Sequence, residues 1–267
     1  MDIKYFSKET SDKILGQGKK FNVVSDVYIG NKIITYRDEK ERTLFNFLLK
    51  SSVLSKFLNH IMDNNLNSVT ILDLGCGNGS NSRIIAKSII DNFGEEVRVK
   101  IIYVDVSSEL LEESEIRTND LADKLGIGID YELVQVDFRD DDSLVEFANE
   151  YKNAADLVFS IKFFHNTPLK ISRKKAEIIS TVCKSKGVFL CQFYLNSGIT
   201  SKLKSFIKSI FKIPYENSIA TDRFLADRNL CKQGFHKEYS VKSHSCGDIL
   251  NYNHFTKNSI ELYWIKR

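Results

Sequence analysis

The sequence predicts an α/β fold: a mostly parallel sheet with helices on both faces, preceded by an N-terminal helical cap. Three observations carry this. Residues 69–80, V-T-I-L-D-L-G-C-G-N-G-S, form a short apolar β-branched run, a glycine turn and the start of a helix. From 69 to 194, β-rich runs alternate with segments of helical periodicity, the pattern of βαβ units. The last two β-rich runs have no segment between them long enough for a crossover helix, so they should pair antiparallel.

The elements follow in order. Residues 1–66 form an N-terminal cap or lid too irregular to be an independent domain, and 67–267 form the main domain. Within the cap, 21–36 is β-rich with a turn at Gly30-Asn31, and 38–65 carries an apolar stripe of Leu44, Phe47, Leu48, Leu54, Phe57, Leu58 and Ile61. The first strand is 69–74, and the helix after it, 81–93, places Ile84, Ile85, Ile89 and Ile90 on one face. A second strand, 97–106, leads through the N-cap Ser107 into a helix over 108–125. A third strand, 129–136, ends in the acidic run D-F-R-D-D-D and a short helix over 143–151. The fourth strand is 155–161; Thr167-Pro168 starts a helix running to about 184, and the fifth strand is 187–194. A lid-like insertion spans 196–234. Its basic amphipathic helix over 199–211 sets Leu203, Phe206, Ile207, Ile210 and Phe211 against Lys202, Lys204, Lys208 and Lys212, and Pro214 ends it. A helix over 222–231, closed by Gly234, precedes the final strands 235–244 and 259–265.

Composition bounds the partners. A hydrophobic fraction of 42% and a charged fraction of 27% are those of an ordinary soluble globule. A net charge of +3 is too mild to indicate nucleic acid by itself. No apolar run approaches ~18 residues, so no membrane span is expected. The first residues lack an apolar signal core, and the five cysteines are odd in number with no C-x-x-C. A cytoplasmic setting with no disulfide framework and no zinc site is the expectation. Asp140, Asp141 and Asp142 have no histidine or spaced carboxylates with them, so no metal site is expected there.

Gly75, Gly77 and Gly79 let the chain turn sharply and approach a ligand closely. A dinucleotide fingerprint requires a small residue three places after its second glycine; here Ser80 stands there and a glycine already occupies 79. The stretch fits D-x-G-x-G-x-G instead, with Asp73 leading it. It resembles the first motif of the class I S-adenosylmethionine-dependent methyltransferases, and the resemblance covers about 69–195. That resemblance implies a Rossmann-like seven-stranded sheet in the order 3-2-1-4-5-7-6, with S-adenosylmethionine as cofactor and S-adenosylhomocysteine as product. Asp73 then organises the loop, and Gly75, Cys76, Gly77 and Gly79 line the cofactor, with Cys76 a small residue tolerated between glycines. Asp105, at the end of the second strand, either accepts the ribose hydroxyls, with Val106 beside it, or caps the next helix. Asp137 and Phe138 offer a carboxylate, an aromatic edge and a backbone N–H to adenine, unless Asp137 is only a turn residue. Ser160 and Ile161 approach the amine of the methionine end.

The acceptor side follows the fourth strand, in S-I-K-F-F-H-N-T-P. It lacks the N/D-P-P-Y/F clamp common where amino groups of bases or glutamine are methylated, and resembles the small-molecule branch. His165 is the first candidate for a general base or substrate contact; the alternative is a histidine that caps its loop. Phe163, Phe164 and Asn166 are expected to line the acceptor pocket, and Tyr36, Arg37 and Arg42 lie where a lid over the cofactor would place a hydroxyl and a guanidinium, the alternative being that they face solvent. The expected activity is methyl transfer to an N or O nucleophile of a small-molecule or peptide-like natural-product substrate. An RNA methyltransferase and a non-catalytic nucleoside-binding scaffold are the alternatives.

Overall fold

The computed structural model describes residues 3–6, 52–138, 140–160, 171–195, 223–243 and 257–265. The strands are β1 (Lys4–Tyr5), β2 (Ser68–Leu74), β3 (Arg98–Asp105), β4 (Asp130–Gln135), β5 (Ala155–Ser160), β6 (Cys183–Leu195), β7 (Phe235–Ser243) and β8 (Lys257–Ile265). The helices are α1 (Ser52–Asp63), α2 (Ser80–Phe93), α3 (Ser108–Leu125), α4 (Asp141–Glu150), α5 (Arg173–Val182) and α6 (Arg223–Lys232). One sheet runs in the order β1-β4-β3-β2-β5-β6-β8-β7. The five strands β2 to β6 are parallel and stand in the expected 3-2-1-4-5 arrangement. Strand β8 pairs antiparallel with both β6 and β7.

The two sheet faces each bury a separate apolar cluster, and the strand alternation decides which residue joins which. Ile71, Ile101, Tyr103, Leu157 and Phe159 pack under α1, α2 and α3. Leu72, Leu74, Ile102, Val104 and Val158 pack under α4, α5 and α6. A strand buried on both faces reads as a continuous apolar run, which is why 69–74 showed no alternation. Helix α1 joins the first cluster through Leu54, Phe57 and Ile61. Phe57 is fully buried, so its truncation to alanine costs about 3–5 kcal/mol. The helix closes at Asn65, whose positive φ of 48° turns the chain while Leu66 N–H bonds Ile61 O at 3.0 Å.

The sheet departs from expectation at both ends of the chain's first strands. Among the described residues the sheet has eight strands against seven expected, because β1 adds in parallel to the edge of β4, with Lys4 opposite Val134 and Tyr5 opposite Gln135. Long-range contacts hold this two-residue strand. Lys4 pairs with Glu132 at 3.3 Å, and the Phe6 ring meets Phe147 edge-on at 5.8 Å. Strand β6 begins at Cys183 and not at 187, since a bulge with Lys186 at φ 61° interrupts its pairing between Ala155 and Leu157. Helix α5 has its N-cap at Ser172, whose Oγ accepts from Lys175 N at 3.2 Å, so the described helix starts after Pro168. Helix α4 starts two residues earlier than expected, capped by Asp140 accepting from Asp142 N at 3.1 Å.

Neighbouring β3, β2 and β5 end at Asp105, Leu74 and Ser160 on the same edge. The chain runs outward from β2 through β3 to β4, then returns to β5 on the other side of β2. The crevice of an open α/β sheet opens at such a reversal, beyond the carboxyl ends of the strands, which is where the glycine turn lies.

Candidate functional site

The turn after β2 is built from three left-handed glycines. Gly75, Gly77 and Gly79 have φ of 69°, 55° and 69°, a conformation that costs a residue with a Cβ roughly 1–2 kcal/mol. Hydrogen bonds hold each step. Gly75 and Cys76 N–H groups both reach Val104 O, at 2.8 and 3.1 Å, and Gly79 N–H reaches Cys76 O at 3.0 Å. The outer carbonyls are tied by side chains. Ser114 Oγ lies 3.1 Å from Gly77 O, Arg83 Nη1 is 2.5 Å from Asn78 O, and Ser82 Oγ is 3.1 Å from Gly79 O. With the carbonyls anchored, the first turn of α2 presents its N–H groups and the positive end of its dipole at the crevice.

The glycines serve different ends. A Cβ on Gly79 would land on the Tyr103 ring, which is buried with its hydroxyl 2.7 Å from Thr118 Oγ1, so Gly79 is needed for packing. A Cβ on Gly77 would meet nothing within 4 Å. The space beside Gly77 is open.

Asp105 fastens the loop. Its Oδ2 accepts from Gly77 N at 2.9 Å, and its Oδ1 accepts from Val106 N at 2.8 Å and Ser107 N at 3.1 Å. A carboxylate offers about four acceptor positions, so one remains, on Oδ2. Asp105 does not cap α3: Ser107 does, its Oγ accepting from Leu110 N at 3.3 Å. Burial raises the Asp105 carboxyl above its usual 3.8, while the three backbone N–H groups pull it back. The turn after it is pinned from β4, by Gln135 Nε2 on Val106 O at 2.8 Å and Val136 N on Asp105 O at 3.0 Å.

Asp73, at 2% exposure, sits beneath the loop. Burial pushes its carboxyl up to about 7; Ser82 opposes this by hydrogen bonding, the charge of Asp105 adds to it, and Arg83 opposes it. Its Oδ2 is the one buried side-chain polar atom without a hydrogen-bond partner among the described residues. The Cys76 thiol is buried and lies 3.3 Å from Gly77 O, and burial holds it well above its ordinary range, so it is no thiolate at neutral pH.

Asp137 and Phe138 follow β4 and are both buried. The Phe138 ring belongs to the core cluster with Leu144 and Phe147, which corrects the expectation of an aromatic edge facing the crevice. Asp137 O accepts from Asp140 N at 3.0 Å, closing a turn. Ser160 Oγ donates to Leu74 O at 3.2 Å, tying the ends of β5 and β2 together. Sequence reasoning missed Gln135, Ser114, Arg83 and Lys175. Lys175 is buried near Asp141 and Asp137, whose charges offset the lowering of its pKa by burial. It shares a helical face with Ile178, Ile179 and Val182, so a lysine within an apolar stripe was the available signal.

Tyr36, Arg37, Arg42, Ile161, Phe163, Phe164, His165 and Asn166 lie outside the described residues, as does the basic segment 199–212. Among the described residues, no group of three or more His, Cys, Asp or Glu is placed to hold a metal ion, and no helix is long and apolar enough to cross a membrane.

Residues 65–236 match the family model described as a methyltransferase domain. No curated protein matches the sequence. Among solved structures, the magnesium protoporphyrin IX methyltransferase of Synechocystis PCC 6803, with bound SAH, is 13% identical with a TM-score of 0.56, covering 96% of this chain and 98% of its own. A geranyl diphosphate methyltransferase in complex with SAM is 14% identical with a TM-score of 0.53, covering 80% and 84%. An arsenic(III) S-adenosylmethionine methyltransferase from Chlamydomonas reinhardtii is 17% identical with a TM-score of 0.51, covering 74% and 64%. At these identities the likeness is one of fold, the Rossmann-like arrangement described above.

Proposed function

The chain belongs to the methyltransferase-domain family, and from that premise we propose that it transfers a methyl group to an N or O nucleophile of a small-molecule or peptide-like substrate. It is an S-adenosylmethionine-dependent enzyme. The bound cofactor supplies a methyl carbon on a sulfonium, open to in-line displacement by the acceptor. The observation that carries the site assignment is the clamped, left-handed glycine turn at the carboxyl end of β2, with open space beside Gly77. Such a turn suits the amino-acid tail of the methyl donor, since close backbone approach and the N-terminal end of α2 favour its carboxylate.

The neighbouring strand ends take the rest of the molecule. Asp105 accepts a single ribose hydroxyl on the remaining position of Oδ2, and its other three acceptor positions keep the loop in register. Val106 lies against the nucleoside, held by Gln135. Asp137 accepts from the adenine amine, and Phe138 contributes its backbone N–H and not its ring. Gly75, Cys76, Gly79, Asp73, Ser160 and Ile161 surround the methionine end. His165, Tyr36 and Arg42 serve the acceptor side, His165 as general base or substrate contact.

The small-molecule reading draws support from the mild charge of +3 and from the acceptors for which the porphyrin and geranyl diphosphate enzymes are named. Calorimetry with S-adenosylmethionine, S-adenosylhomocysteine and a nicotinamide dinucleotide tests the cofactor. Binding of the first two and not the third is expected; the reverse would overturn the site. Release of S-adenosylhomocysteine on incubation with panels of amine and hydroxyl metabolites and of RNA then tests the acceptor class. Turnover only with RNA would overturn it.

A further inference from the structure

We propose that Asp73 holds a proton in the ligand-free protein and gives it up when the cationic amine of the methyl donor binds, so that cofactor binding releases a proton. This rests on the methyl-donor reading of the site. The first observation is the orphaned oxygen. Asp73 Oδ2 is buried with no hydrogen-bond partner among the described residues, in a chain where its other polar neighbours are paired. An ionised carboxylate in that position leaves a charged oxygen uncompensated, and a protonated one does not.

The second observation is a shared hydroxyl. Ser82 is fully buried and has one proton for two acceptors, the Asp73 carboxyl and Gly79 O at 3.1 Å. When Asp73 is ionised, Ser82 donates to it and Gly79 O keeps only the Arg83 N–H, at 3.1 Å. When Asp73 is protonated, Asp73 donates to Ser82 Oγ and Ser82 donates to Gly79 O, so the loop carbonyl keeps both of its donors, Ser82 Oγ and Arg83 N. The neutral acid therefore fits the clamped loop.

The charges that face Asp73 act in opposite directions. From α2, Arg83 favours ionisation, but its guanidinium is committed to Asn78 O and Ser80 Oγ. From β3, Asp105 opposes ionisation, and Tyr103 adds a neutral phenol held by Thr118. From the loop, Cys76 is a neutral thiol; from β5, the paired residue is the apolar Phe159. Burial then decides, and the carboxyl titrates at about 7. An ammonium arriving above the glycine turn adds the missing counter-charge. The O–H bond of Asp73 breaks, its electron pair stays on the carboxylate, the proton leaves to buffer, and the Ser82 hydroxyl turns to Asp73.

Calorimetry of S-adenosylhomocysteine binding to the full chain, in buffers of different ionisation heat, counts the protons. With a carboxyl near 7, release of about 0.9 proton at pH 6, 0.5 at pH 7 and 0.1 at pH 8 is expected, with affinity about tenfold weaker at pH 6 than at pH 8. Asp73→Asn removes the released proton, and proton uptake by the ligand's own amine appears in both proteins and cancels. Binding with the same heat in every buffer at pH 6, or equal release from Asp73→Asn, overturns the proposal and leaves the methyl-donor site intact. The wild-type series decides the matter even where the variant does not fold. A failure of S-adenosylhomocysteine to bind at any pH removes the methyl-donor reading and this proposal with it.

Discussion

Replacing Asp105 with alanine strips the acceptor from three backbone N–H groups at once, those of Gly77, Val106 and Ser107. Hydrogen bonds to a charged group contribute about 1.5–3 kcal/mol each, but two effects reduce the sum. Gly77, Val106 and Ser107 are all only half-buried and recover water, and the upward shift of the Asp105 carboxyl has burial outweighing what its backbone bonds return. The net loss of stability is therefore about 2–4 kcal/mol, shared between Gly77 N–H and the Val106 and Ser107 pair. Asp105→Asn should lose about half as much, because its amide oxygen keeps the Val106 and Ser107 bonds while its NH₂ confronts Gly77 N–H, donor against donor. Urea unfolding followed by far-ultraviolet circular dichroism measures this, with S-adenosylhomocysteine calorimetry on the folded variants. Affinity should fall roughly tenfold to a hundredfold for alanine, by loss of a charge-assisted bond to the ribose. An unfolding midpoint for Asp105→Ala equal to wild type would refute the role given to this carboxylate in holding the loop.

The two loop glycines should separate by assay: Gly77→Val folds at a strain of about 1–2 kcal/mol and loses S-adenosylhomocysteine binding, whereas Gly79→Ala lowers the melting temperature by collision with Tyr103. Asp73, raised from 3.8 to about 7, binds its proton in the native state and not in the unfolded chain, so ligand-free stability should fall as pH rises from about 4 to 7. The fall is at most about 4 kcal/mol, and urea midpoints across pH should be flatter in Asp73→Asn. Glu132 has the opposite sign: burial resists its ionisation, but Lys100, Tyr151 and Lys4 together pull it down to about 2. Its contribution is present above 4.5 and lost as pH falls toward 2, and Lys100→Met should raise the midpoint of acid unfolding. His165→Ala should lower turnover more than cofactor affinity, and equal loss of both would remove it as a base.

Local signals made much of this fold legible. Helix α3 was bounded correctly because Ser107 and Gly126 carry both caps within the helix's own sequence. The glycine turn was legible because three alternate glycines have few uses other than left-handed backbone. Strand β1 was not, since two residues have no period, and its stability comes from Glu132, Phe147 and Tyr151, more than 120 positions away. The start of β6 was hidden by a bulge that breaks the strand pattern at Lys186. At the site, sequence located Asp105 and Asp137 on strand ends but not what they touch. That Asp105 serves three N–H groups, that Phe138 turns inward, and that Lys175 is buried near Asp137 are consequences of packing between elements distant in the chain.

Backbone amide shifts of isotopically labelled protein, recorded while S-adenosylhomocysteine is added, test the location of the cofactor most directly. A ligand seated on the glycine turn shifts the amides of 75–82, 105–107 and 137–138 most, with Gly77 among the largest. Saturable shifts confined to other segments, or no shifts at millimolar ligand, would contradict the site.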